Sequence, residues 1–215
     1  LFWCTQLGHD LGRLSADVIL YSAEEFGYLV LPPALATGSS IMPHKRNPDL
    51  FELTRARAAT VDGDLFTVMH LAGKLPGGYH RDYQLLKAPL FRGLDRTREM
   101  LAMLAAALPQ LGVDRERCRA ALEGGALATD EVMRRVEGGE RFRAAYRDVA
   151  AEIRRGEAFP PPAPADLIAR RASSGGVGNL GLGLARRRLA ATRRWAARER
   201  TRFERAMSRL AGRRG

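Results

Sequence analysis

The sequence is poor in lysine, cysteine and aromatic residues, and it has no long apolar run. Cys4 and Cys118 are the only two cysteines in 215 residues. Neither has a close-spaced partner or a histidine at metal-ligand spacing, so the sequence supports neither a disulfide framework nor a zinc site. The two read as lone thiols of a cytoplasmic protein. No stretch of about 18 apolar residues occurs, which removes a membrane-spanning helix. Residues 1–11 lack the basic start, apolar block and small-residue cleavage site of a secretory signal. The chain opens on Leu1 rather than Met, as would a sequence whose beginning has been cut away or processed.

Lysine is nearly absent: Lys45, Lys74 and Lys87 stand against 32 arginines. Where arginine is so preferred, a retained lysine suggests that a compact ammonium was needed rather than any positive charge. The net charge of +11 is local, because twelve arginines and two acids (Glu199 and Glu204) fall between Leu184 and the end. That tail carries +10 and leaves about +1 for residues 1–183, so the charge says little about the body of the protein. A hydrophobic content of 46% is ample for a buried core.

The apolar periodicity is helical throughout. Leu7, Leu11, Leu14, Val18 and Tyr21 form one seam on a helix expected to run to about Phe26. Asp49 to Leu71 has no internal proline and sets Val61, Leu65 and Val68 on one face. Leu90, Leu94, Thr97, Leu101, Leu104, Leu108 and Leu111 repeat a 4-3 rhythm on a helix starting near Asp82, on the order of 45 Å long at about 1.5 Å per residue. The fold class is all-α: residues 1–112 predict a long antiparallel helix bundle, within one chain or shared between subunits. From Gly112 the segments shorten, with Asp114, Thr129 and Asp166 as candidate N-caps and Pro160 to Pro164 as a break. Residues 113–183 predict a small helical domain, and 184–215 an arginine-rich helical tail.

Two connections interrupt the bundle. Residues 31–48 are a proline-punctuated loop without periodicity, and a link of that length between two strong helices is uncommon unless it is functional. Residues 74–81 form a shorter break at Pro76, Gly77 and Gly78. The long loop contains Thr37-Gly38-Ser39-Ser40-Ile41-Met42-Pro43-His44-Lys45-Arg46-Asn47-Pro48. Gly38 gives backbone freedom, two hydroxyls follow, and N–H groups with Lys45 nearby suit a carboxylate or a developing oxyanion. The spacing is not that of a nucleotide phosphate loop.

This stretch resembles the Gly-Ser-Ser-x-Met-Pro-x-Lys-x-Asn-Pro signature of the fumarase/aspartase superfamily, which releases fumarate by β-elimination of a C–N or C–O bond. The resemblance implies that Ser39 is the catalytic base on a mobile loop. It further implies that Ser40, Lys45 and Asn47 contact substrate, with Lys45 and Asn47 on its carboxylates. Tyr79-His80-Arg81-Asp82-Tyr83-Gln84-Leu85-Leu86-Lys87 resembles the Tyr-x-Arg-Asp-x-Gln-x-x-Lys segment of argininosuccinate lyases, so Tyr79, Gln84 and Lys87 are implied substrate contacts. Gln84 and Lys87 are three apart and share a helix face. Leu85 and Leu86 depart from the acidic residues of many relatives. Asp17 and Ser22 to Gly27, and Gly176 to Gly181, extend the resemblance over residues 1–183, while the arginine-rich end matches no family pattern.

Glu52 matches a glutamate that sets the charge of the family's catalytic histidine. That histidine is expected upstream of Leu1, so the sequence reads as the C-terminal half of such an enzyme, inactive by itself. A solvated carboxylate favoured by the helix dipole is the alternative reading of Glu52. The resemblance implies cleavage of argininosuccinate to arginine and fumarate, no metal or organic cofactor, and a cytoplasmic homotetramer with shared active sites. Adenylosuccinate lyases carry a similar Met-Pro-His-Lys-Arg-Asn-Pro loop and remain an alternative, as does a non-catalytic relative. Nucleic acid is the less favoured partner for the tail. Its arginines read as standing on every side of a helix, as in a solvated extension packing Leu189, Trp195 and Phe203 on the body.

Overall fold

The computed structural model describes residues 1–122, 124–157, 159 and 164–212; the proline-rich stretch at 160–163 lies outside them. The described residues divide into two compact units, Leu1–Leu122 and Glu123–Gly215. The first is an antiparallel bundle of α1 (Phe2–Ser22), α2 (Asp49–Ala72) and α3 (Lys87–Ala107). Its core is built from Leu11, Val18, Phe51, Ala58, Val61, Met100, Leu104 and Ala107. Among the described residues no helix is long and apolar enough to cross a membrane.

Small residues set how closely the helices pack. The buried face of α1 is Thr5, Gly8, Leu11, Gly12, Ser15 and Val18. A Cβ placed on Gly8 would lie 3.5 Å from that of Ala58, so at this point α1 and α2 meet nearly backbone to backbone. On α3 the buried stripe is Pro89, Gly93, Thr97, Met100, Leu104 and Ala107. The leucine seam expected there is thus displaced by about one position, and Leu90, Leu94 and Leu101 remain 40%, 47% and 41% exposed. The reason is steric: glycine and proline let α3 approach α2 closely, and the leucines stand on the rim of that contact.

One buried charge ties the same pair of helices. Asp64 of α2 is 2% exposed. It accepts from Arg92 through Nε at 2.9 Å and through Nη2, and Arg96 Nη1 lies 3.5 Å from its other oxygen. His9 on α1 meets Asp62 at 3.0 Å.

Helix α1 ends at Ser22, short of Phe26, where Ala23 turns extended with φ −62° and ψ 148°. Gly27 then takes φ +58°, with Arg117 so close that a Cβ would collide with its guanidinium. The chain continues into β1 (Leu29–Val30), which pairs antiparallel with β2 (Gly112–Val113). That two-residue ladder, which no alternation in the sequence announced, ties the root of the long loop to the segment that follows α3. At the other end a 3-10 turn, Arg81–Leu86, precedes α3, which therefore begins at Lys87. α4 (Arg115–Ala120) is capped by Asp114, whose side chain accepts from the Arg117 N–H, as expected.

In the second unit α5 (Ala128–Glu137) and α6 (Phe142–Arg154) pack through Val132, Ala145, Val149 and Phe159. α7 (Pro164–Arg170) and α8 (Leu182–Leu210) follow. Thr129 and Asp166 fall inside α5 and α7 rather than at their caps, because each helix starts earlier than the sequence suggested. Arg135 bridges α5 and α6, donating to Glu131 at 2.8 Å and to Glu152 at 2.6 Å. Every residue of α8 is exposed, Leu189, Trp195 and Phe203 among them.

Two outcomes follow from this packing. Phe51→Ala, which empties a fully buried site beneath the long loop, is expected to cost about 3–5 kcal/mol of unfolding free energy in urea titrations. A cost under about 1 kcal/mol would show that the α1–α2–α3 core is not the stabilising core. The second concerns pH. Hydrogen bonds from Arg134, then from Arg135, hold the Glu131 carboxyl down at about 2 against the opposing effect of burial. A depressed carboxyl stabilises fully above its ordinary value of 4.5 and loses that contribution as pH falls toward about 2. Amide exchange in α5 and α6 is expected to accelerate across that window in the parent and much less steeply in Glu131→Gln.

Candidate active site

The long loop is closed at its base. Thr37 and Asn47 form an antiparallel bridge, with Thr37 N–H to Asn47 C=O at 3.0 Å and the reverse bond at 2.8 Å. The Thr37 hydroxyl donates to the Asp49 carboxylate in the first turn of α2. Residues 38–46 are therefore a small lobe standing on the N-terminal end of α2. Sequence reasoning quoted Thr37 without giving it a task and passed over Asp49. The signal available was their position, one at each flank of the lobe.

Within the lobe, Ser39 is half-buried while Ser40 and Lys45 are exposed. The Ser39 hydroxyl oxygen accepts from the backbone N–H groups of Ile41 and Met42, both at 3.2 Å. The Lys45 N–H donates to the Met42 carbonyl at 3.0 Å, which turns the chain back toward Asn47. An oxygen that receives two N–H donors carries negative charge more readily than a free hydroxyl does. A serine is a weak base in water, and this arrangement favours its alkoxide. Nothing lies within 4 Å of a Cβ built at Gly38, so the lobe has room to move at its first residue. Glu52 is exposed one turn into α2, where the helix N-terminus favours a carboxylate.

The remaining expected residues sit elsewhere. Tyr79 is 79% exposed in the link after α2. Gln84 lies in the 3-10 turn, and Lys87 opens α3. A surface cavity lined by Phe66, His70, Leu71, Lys74, Leu75 and Asp82 places this turn against the last two turns of α2. From Asp49 to Phe66 the helix rises on the order of 25 Å at about 1.5 Å per residue. The structure thus gathers Ser39, Ser40, Lys45, Asn47 and Glu52 at one end of the bundle, and Tyr79, Gln84 and Lys87 at the other. Among the described residues no cluster of three or more His, Cys, Asp or Glu is arranged to hold a metal ion.

Comparison with known proteins bears on this arrangement. A family model described as a lyase matches residues 1–63, which include the Ser39 lobe and Glu52. An argininosuccinate lyase of Sorangium cellulosum is 44% identical over 177 residues, covering 82% of this chain and 40% of that protein. One of Thermus thermophilus is 46% identical over 146 residues, covering 67% of this chain and 32% of that protein. The crystal structure of an EDDS lyase in complex with formate superposes with a TM-score of 0.79 at 22% identity, over 99% of this chain and 50% of that one. At that identity the likeness is one of fold. It extends through α8, for which the sequence offered no family pattern.

Over most of its length the chain is similar to lyases, and in particular to argininosuccinate lyases, of which it spans less than half the length.

The clamp at the base of the lobe has a direct consequence. Thr37→Val keeps the backbone bridge and removes the bond to Asp49. Hydrogen exchange of the amides in 38–46 is expected to rise several-fold, while the interior of α2 stays unchanged. Unchanged exchange in the lobe would show that the hydroxyl does not hold it.

Proposed function

We propose that the whole protein cleaves argininosuccinate to arginine and fumarate by β-elimination. Two observations support the reading: the Ser39 oxygen held by two backbone N–H groups, and the identity to argininosuccinate lyases over most of this chain. In this scheme the Ser39 alkoxide removes a Cβ proton from the succinyl group. The electron pair left behind delocalises into the neighbouring carboxylate, then forms the C=C bond of fumarate as the C–N bond breaks. The leaving guanidino nitrogen takes a proton and departs as arginine. Lys45 and Asn47 bind the substrate carboxylates, and Ser40 contacts the substrate beside them. Glu52 is read as the partner of a catalytic histidine that residues 1–215 do not supply at the family's position.

Tyr79, Gln84 and Lys87 complete the reading as contacts to the rest of the substrate. They stand at the far end of α2 from Ser39, and no substrate of this size spans that separation. The assembly that satisfies both is a homotetramer in which each site draws on more than one chain, working in the cytoplasm in arginine biosynthesis without a metal or organic cofactor. The exposed leucines of α3 provide an apolar face for such packing.

Ser39→Ala in the whole protein is expected to abolish fumarate release while argininosuccinate binding stays within about tenfold, since the residue acts on the transition state. A mild effect at Ser39 beside a severe one for Ser40→Ala would move the base by one residue. Faster turnover of adenylosuccinate than of argininosuccinate would reassign the substrate.

A further inference from the structure

Helix α8 takes no part in the lyase reading. It carries ten arginines against two glutamates, a net of +8 over 29 residues. None of its residues is buried. The arginines are not evenly spread around it. Arg187, Arg194, Arg198, Arg205 and Arg209 recur at spacings of 7, 4, 7 and 4, which at 3.6 residues per turn forms one stripe about 33 Å long. A narrower side of the helix carries no arginine: Ala185, Leu189, Thr192, Ala196, Glu199, Phe203 and Leu210 lie between the rows that hold Arg188 and Arg200. The arginines thus cover about two thirds of the circumference and leave the rest free of them.

Neither glutamate lies on the stripe. Glu199 falls on the arginine-free side, and Glu204 faces away from Arg198 and Arg205. Among the described residues, the ion pair within α8, Arg202 with Glu199, is long at 3.8 Å and lies at the stripe's border. A shallow groove along the same side is lined by Ala197, Arg198, Thr201, Arg202, Arg205 and Arg209. Trp195 is 56% exposed and borders this groove, three residues before Arg198 and seven before Arg202. Planar guanidinium groups in a row favour phosphate oxygens. An aromatic ring at their edge offers a stacking surface for a base.

We propose that the arginine stripe of α8 is a binding surface for single-stranded nucleic acid, with phosphates along Arg187 to Arg209 and a base stacked on Trp195. Two other occupants fit less well. A second copy of α8 would bring another +8 against the first. A bilayer surface requires a continuous apolar face, and here Thr192 and Glu199 interrupt it while the tryptophan stands beside the arginines.

The test uses the 215-residue chain and a fluorescein-labelled single-stranded oligonucleotide, followed by anisotropy from 50 to 300 mM salt. Binding is expected, with a slope of log affinity against log salt of about −3.5 for five phosphate contacts. The triple variant Arg194→Glu, Arg198→Glu, Arg205→Glu is expected to weaken binding at least thirtyfold, on the order expected from losing and reversing three phosphate contacts. Arg186→Glu, Arg193→Glu, Arg200→Glu changes the net charge equally on another side and is expected to weaken it by less than about threefold. Circular dichroism checks that both variants keep the helix. Trp195→Ala is expected to cost about tenfold on the single strand and little on duplex. Equal losses in the two triple variants, absence of binding at 50 mM salt, or tighter binding to anionic phosphatidylserine vesicles than to the oligonucleotide would each overturn the proposal.

Discussion

A single helix, α2, decides what the first unit can do. Its 24 residues extend about 36 Å at 1.5 Å per residue, with the serine lobe rooted at one end and the Tyr79 to Lys87 segment at the other. Its length is fixed by backbone geometry, and its position by small residues that let α1 and α3 pack closely on it. Gly8 and Gly12 lie over Ala58, and Asp64 draws in Arg92 and Arg96 from α3. The first unit therefore holds the two groups of expected site residues at opposite ends of α2. Leu90, Leu94 and Leu101 of α3 and most of the Ser39 lobe are exposed at the rim and end of that bundle.

The lobe itself is a local solution to a chemical difficulty. Serine is a poor base, and burying it among carboxylates would make it poorer. Here the hydroxyl oxygen is met by the N–H groups of Ile41 and Met42, donors that the turn supplies from backbone alone. Pinning Thr37 to Asn47 and Asp49 keeps that turn in register, and open space surrounds Gly38. Under the proposed function, such a lobe holds Ser39 in place for proton abstraction and has room to close over a substrate.

Much of this was legible in the sequence, for reasons that differ by element. The helices were readable because apolar periodicity and proline positions are local signals, and Asp49 to Leu71 was bounded almost to the residue. The roles of Ser39, Lys45 and Asn47 rest on resemblance alone, since residue types at fixed spacing do not by themselves assign a base; what the structure adds is that the three share one lobe. The buried stripe of α3 was not readable, because leucines advertise a core that glycine, threonine and proline in fact occupy where helices approach closely. The β1–β2 ladder was hidden for another reason: two residues are too few to alternate. The separation of Ser39 from the Tyr79 to Lys87 segment was implicit in the length of α2, yet it needed the placement of the 3-10 turn against Phe66 to Leu75 to become a distance.

The central claim is that Ser39 and Lys87 serve one substrate from different chains, and co-assembly tests it most directly. Ser39→Ala and Lys87→Met forms of the whole protein, each inactive, are mixed in denaturant, refolded together and assayed for fumarate release from argininosuccinate. Random assembly of a symmetric oligomer with shared sites restores both residues in about a quarter of them, so activity near a quarter of the parent value is the expected result. If the mixture stays as inactive as either variant refolded by itself, while parent protein carried through the same cycle regains activity, both residues act from one chain and the account is contradicted.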